Sequence, residues 1–168
     1  MIQFDTILAS DTIIKAAATT AYTAGDVISE VTTDDHYVFA GVGVQQRLSG
    51  IINSAHIQIN ANQATKPDLE LWLFNANIAN VADNSAFAPT DAEILTLIGV
   101  IPFDVSLWNV GLSGSGASGN IAQDVTDINL IYRLSPGAFT LYGQLVVRNA
   151  YTPISSESFR VELRITRD

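Results

Sequence analysis

Apolar and polar residues alternate with a period of two along much of the chain, the spacing of β-strands rather than helices. The clearest stretch is near the C-terminus, where Phe159, Val161, Leu163 and Ile165 alternate with Arg160, Glu162, Arg164 and Thr166. One face is apolar and the other charged, as in a half-buried antiparallel strand. Further strands are predicted at 26–32 after the Ala24-Gly25 turn, at 37–44 after Asp34-Asp35, and at 50–60, with Ile51, Ile57 and Ile59 as β-branched members. At 68–74, Leu69, Leu71 and Leu73 share one face and Glu70, Trp72 and Phe74 the other. Both faces are largely apolar, which predicts a strand deep in the fold. Two apolar runs, 128–134 and 139–148, flank Ser135-Pro136-Gly137-Ala138 and predict a hairpin.

One helix interrupts this pattern. Thr90 is a candidate cap with Glu93 as its capping-box partner. Ile94, Leu95, Leu97 and Ile98 supply an apolar face, and Gly99 a stop. A strand at 100–103 follows, with Pro102 pointing to a sheet edge or a bend. Residues 111–120 are rich in glycine and serine and predict a long loop within one domain. The first twenty residues read either as an arm that docks on another subunit or as an edge strand with a small-residue linker. The fold class expected is all-β: an antiparallel β-sandwich or jelly roll with one short helix near 90–98 and a single domain over 21–168. Parallel α/β architecture is excluded because helices do not alternate with the strands.

Composition narrows the function classes. Only 15% of the 168 residues are charged, well below the usual quarter. Small neutral residues or a partner must therefore cover much of the surface. The net charge is −9 and no basic run exists beyond Arg160, Arg164 and Arg167, which are interleaved with acids. Direct nucleic-acid binding and adsorption to anionic membranes are thus not expected. With no cysteine, disulfides and thiol chemistry are excluded. Met1 to Asp5 lacks the pattern of a signal peptide, so synthesis is expected in a cytoplasm.

Candidate chemistry is sparse, and no enzyme is expected. His56 alternates with Ile57 and Ile59 as a strand residue, and no Gly-x-Ser-x-Gly elbow accompanies either histidine. Asp34-Asp35-His36 offers metal-ligating types but too few ligands, and reads as a solvated turn. Asp83, Asp91, Asp124 and Asp127 lie in loop-like contexts without a calcium-loop spacing. No metal or cofactor is therefore assigned. Gly41-Val42-Gly43-Val44 lacks the third glycine of a dinucleotide fingerprint and points to a bulge or a close backbone contact. Trp72 reads as core, whereas Trp108 reads equally as an interface anchor or a core plug.

An ordered set of segments carries a family resemblance. They are Ala21-Tyr22-Thr23-Ala24-Gly25-Asp26-Val27-Ile28, the run from Leu69 to Asn75, Asp83-Asn84-Ser85-Ala86-Phe87, and Gly99-Val100-Ile101-Pro102-Phe103. Together they resemble small virion structural proteins of tailed bacteriophages, including capsid decoration or cement proteins. The resemblance spans roughly residues 20 to 105. It implies a non-catalytic, trimeric protein in the virion that binds the major capsid protein of an assembled shell. Composition places the contacts in the arm (Ile2, Phe4, Ile7 and Leu8), at Trp108, and in the glycine-rich loop at Leu112. Competing readings are a tail, neck or fibre component, a carbohydrate-binding β-sandwich module, and, last, an enzyme.

Overall fold

The computed structural model describes residues 5–15, 17, 19–33, 35–45, 47–110 and 120–167. The chain begins with β1 (Asp5–Ile14) in one sheet, crosses to the short β2 (Val27–Ile28) and β3 (Tyr37–Ala40) in a second, and returns with β4 (Ser49–Ile59). It crosses again for β5 (Leu69–Phe74), turns through α1 (Asp91–Ile94) into β6 (Leu97–Phe103), and passes through a 3-10 turn at Val105–Leu107. β7 (Asn109–Val110), β8 (Ile121–Val125) and β9 (Leu130–Arg133) belong to the first sheet, β10 (Thr140–Val147) to the second, and β11 (Ser158–Arg167) to the first. The first sheet has the order β1-β11-β4-β8-β7, with β9 also on β4. The second has the order β2-β10-β5-β6, with β3 also on β10. All the pairings are antiparallel, and the two sheets form a β-sandwich.

Period two places one apolar row per strand between the sheets. Phe159, Val161, Leu163 and Ile165 of β11 meet Ile52, Ala55, Ile57 and Ile59 of β4 on one inner face. Leu69, Leu71 and Leu73 of β5 and Leu141, Leu145 and Val147 of β10 form the other. Gly143 interrupts the β10 row because a Cβ there would stand 3.0 Å from Leu71 Cδ1 and from Phe39 Cε2. Tyrosine hydroxyls entering this core find main-chain acceptors: Tyr37 donates to Phe159 O at 3.0 Å, and Tyr132 to Val42 O at 2.8 Å.

Of the two readings of the N-terminal region, residues 5–14 take the edge strand: they are the outermost strand of the first sheet, paired with β11 along ten residues, and Ala9 and Ile13 are in the core. Other elements differ from their sequence readings. The Pro136-Gly137 turn does not close a hairpin: β9 pairs with β4 in one sheet and β10 with β2, β3 and β5 in the other. Alternation marks both strands but cannot say which partner each takes. The helix has its capping box at Thr90 and Glu93, yet it ends at Ile94. Leu97 and Ile98 already belong to β6, where Leu97 pairs with Phe74 of β5 and Ile98 lies at a register shift. Gly99 is therefore a strand glycine, where a Cβ would meet Leu130 Cδ1 at 2.8 Å, rather than a helix stop. Gly43 is likewise a close approach, to Leu134 Cδ1 at 2.7 Å.

Candidate interface surfaces

The two outer faces of the sandwich are unequal. That of the β2-β10-β5-β6 sheet is covered by the chain between β5 and α1. Val27 N–H bonds Ser85 O at 2.9 Å, and the Phe87 ring stands edge-on to Trp72 (5.4 Å) and Phe74 (6.4 Å). Phe74, Gln144 and Val146, which point outward from this sheet, are thereby buried. Glu93 fastens the cover, accepting from the N–H groups of Ala79 at 2.6 Å and Thr90 at 2.7 Å. These bonds hold its carboxyl below the usual range.

Among the described residues, no such cover lies on the outer face of the β1-β11-β4 sheet. Arg160 pairs with Glu162 at 2.8 Å, and His56 with Asp124 at 2.7 Å. Arg133 of β9 and Arg164 of β11 stand on the same face, and no ion pair engages either among the described residues. Toward one end Ile51 lies between Thr166 and Ile131 in register, and Leu8 lies opposite Arg164. Ile131 is 71% exposed and Leu8 59%. A hollow of about 220 Å³ lies among Ser54, His56, Asp124, Glu162 and Arg164. A larger one of about 500 Å³ at the other end is lined by Gln58, Asn60, Asn109, Asn120 and Arg160.

The end of the sandwich beyond β5 and β6 has a different character. Asp104 caps the 3-10 turn, accepting from Ser106 N–H at 2.7 Å. With its amide oriented to satisfy both groups, buried Gln123 of β8 bonds the main-chain N–H and C=O of Asp104, each at 3.1 Å. The turn leaves Leu107 60% exposed and Val105 41%. Trp108 is half-buried, packs against the core, and donates its indole N–H to Pro67 O at 2.8 Å. It is thus both core plug and partial surface. Burial first, and then the nearby Asp104 and Glu70 carboxylates, push the Asp68 carboxyl up, with Arg148 opposing. Arg148 pairs with Glu70 at 3.2 Å.

Of the interface residues read from sequence, Leu8 is exposed, Ile7 packs against the core and Trp108 is half-buried. Ile2, Phe4 and Leu112 lie outside the described residues, as does Asp34. Trp72 is not deep core: it is half-buried on the outer side of β5 and bonds Glu70 at 3.0 Å. His36 is not in a solvated turn either. It is buried, bonded to Asn77 at 3.0 Å, and burial holds its pKa below the usual value. Asp83, Asp91, Asp124 and Asp127 do not converge, and no metal-binding cluster occurs among the described residues.

Sequence reasoning missed a buried polar cluster where β1, the 151–157 segment and the Asp83 loop meet. Tyr22 and Tyr151 stack at 5.3 Å, and Tyr22 donates to Asp83 at 2.7 Å. Lys15 and Glu157 are 2% and 1% exposed. Burial pushes the Glu157 carboxyl up to about 7, against the Ile154 N–H and the Lys15 charge. Lys15 and Tyr22, Asp83, and Tyr151 and Glu157 come from three stretches far apart in the sequence, so nothing in it marks them as neighbours.

No family model matches this chain, and no curated protein matches it either. Its structural neighbours are viral capsid chains. One is from the cyanophage Pam1 capsid asymmetric unit, at 11% identity and TM-score 0.37, covering 97% of this chain and 85% of that one. Another is from the native virion of Kashmir bee virus at neutral pH, at 11% identity and TM-score 0.30, covering 96% and 70%. Likeness at this level carries no argument about what the chain does.

Proposed function

We propose that the chain is a jelly-roll virion protein that binds an assembled phage capsid shell as a trimer and stabilises it. The observation that carries this reading is the winding. One sheet runs β1-β11-β4-β8 and the other β3-β10-β5-β6. Numbered as eight successive strands, with β2 and β3 sharing one position and β7 to β9 another, this is the order of two interleaved Greek keys. Jelly rolls of this kind recur in viral capsids, lectins and cupins. A fold alone does not choose among these. The ordered segments that resemble tailed-phage virion proteins favour the first, and so does the surface. One sheet face is sealed by the chain itself, and the other presents arginines and exposed apolar side chains in a protein of net charge −9.

A protein that binds the assembled shell, and not its separate subunits, stabilises the shell by mass action without any chemistry of its own. The shell protein is the expected partner. A tail, neck or fibre position would use the same scaffold but fewer copies. The test is the copy number of the chain relative to the major shell protein in purified particles, measured by quantitative mass spectrometry. A fixed ratio of the same order as the shell protein is expected. A few copies per particle would place the chain in the tail or neck, and absence from particles would overturn the reading.

A further inference from the structure

We infer that copies of this chain associate head to tail. The Val105, Leu107 and Trp108 end of one copy docks on the Leu8, Ile51 and Ile131 region of the next copy's open face. This gives the proposed trimer an interface, and it is tested separately from shell binding.

Charge selects this pairing. A chain of net charge −9 repels its own copies unless a local surface reverses the sign. The open face carries the cations for it: Arg133 and Arg164 have no ion pair among the described residues, Glu162 is paired with Arg160, and Asp124 bonds His56, which offsets its charge only when the imidazole is protonated. The other end is the reverse. Asp68, Glu70 and Asp104 lie near one another there, with Arg148 paired to Glu70 and Lys66 bonded to Asn62 and to Gln63 O. Each region also holds exposed apolar side chains, Leu8 and Ile131 on the face and Val105 and Leu107 at the end. An apolar centre with a charged rim is how protein interfaces are built, and here the two rims have opposite signs. A two-fold contact of like with like would set arginine on arginine or aspartate on aspartate, which electrostatics disfavours.

The placement of the two regions fits closure. Asp68 and Asp104 flank the end where Leu69 pairs with Phe103. The face region lies toward the far end of β4, at Ile51, whereas Ile59 at the near end pairs with Ile121. At about 3.3 Å per residue, Ile51 and Ile59 are ~26 Å apart. Heterologous contacts of this sort generate rings when the rotation closes. One contact lies on a sheet face and the other at a sandwich end, so each added copy turns relative to the last instead of stacking in line.

The experiment is light scattering after gel filtration on the full chain, over a range of concentrations and at about 0.05 and 0.5 M salt, where screening differs strongly. The wild type is compared with the double variant Arg133→Glu plus Arg164→Glu and with Leu107→Ser. All three positions are exposed, so unchanged circular dichroism and thermal midpoint are expected as controls. The wild type should run as a closed oligomer that weakens in the higher salt. Each variant should weaken association at least about tenfold, the loss expected for a residue near the centre of an interface. A wild-type monomer at every concentration, or wild-type mass retained by either variant, overturns the inference. Neither result bears on whether the chain is found in particles.

Discussion

At the residue scale, Glu157 links burial to pH. Its carboxyl ordinarily titrates near 4.5 and is pushed up to about 7 in the fold by burial. Between those values the native chain keeps a proton that the unfolded chain has released. The stabilisation is therefore complete below pH 4.5 and is lost as pH rises through 7. The shift corresponds to about 3 kcal/mol. Glu157→Gln keeps an acceptor for the Ile154 N–H, which Glu157 binds at 3.1 Å, and removes the titration. Thermal melts from pH 4 to 8 should show the wild type losing several degrees over this range relative to the variant, and the variant should be the more stable of the two at pH 8. Parallel profiles would mean that Glu157 is charged and paired with Lys15 throughout. None of this was legible in the sequence, because Lys15, Tyr22, Asp83, Tyr151 and Glu157 come from separate segments and meet only in the fold.

At the element scale, β1 decides how the N-terminal region is understood. Composition left it open as arm or edge strand, because Ile7, Leu8, Ile13 and Ile14 suit either. The ladder to β11, the buried Ala9 and Ile13, and the Asp5–Arg167 ion pair make residues 5–14 part of the sandwich. Removing residues 1–14 should therefore abolish cooperative unfolding in a denaturant titration, rather than merely weaken assembly. A sharp transition at unchanged midpoint in the truncated chain would show that β1 contributes little. β5 and β11 were legible because each alternates with a fully apolar inner row, whereas a bulge at Asn53 shifts the phase of β4, so that Ile51 faces out while Ile57 and Ile59 face in. The connection through Pro136-Gly137 was misread because a turn signal fixes a reversal of direction and not the sheet that receives the chain. α1 was legible in its start and not in its length, since the capping box is local while the end is set by pairing of β6 with β5.

At the scale of the whole molecule, the expectation of a structural role rests on the ordered segments at 21–28, 69–75, 83–87 and 99–103 that resemble virion proteins; the low share of charged residues agrees with it but does not by itself point to a role. The division of the surface explains how such a role would work. One sheet is closed over by its own chain, and the other offers arginines and exposed apolar groups. The open face was legible in the sequence, since the outward row of β11 is charged while that of β5 is largely apolar, but what covers β5, the chain between β5 and α1, was not. The most direct test of shell stabilisation is to prepare shells lacking this chain, add it back, and follow shell disruption on heating by light scattering. Saturable binding with a higher disruption temperature is the result predicted for a decoration protein. Shells that neither bind the chain nor change their disruption temperature would contradict that role.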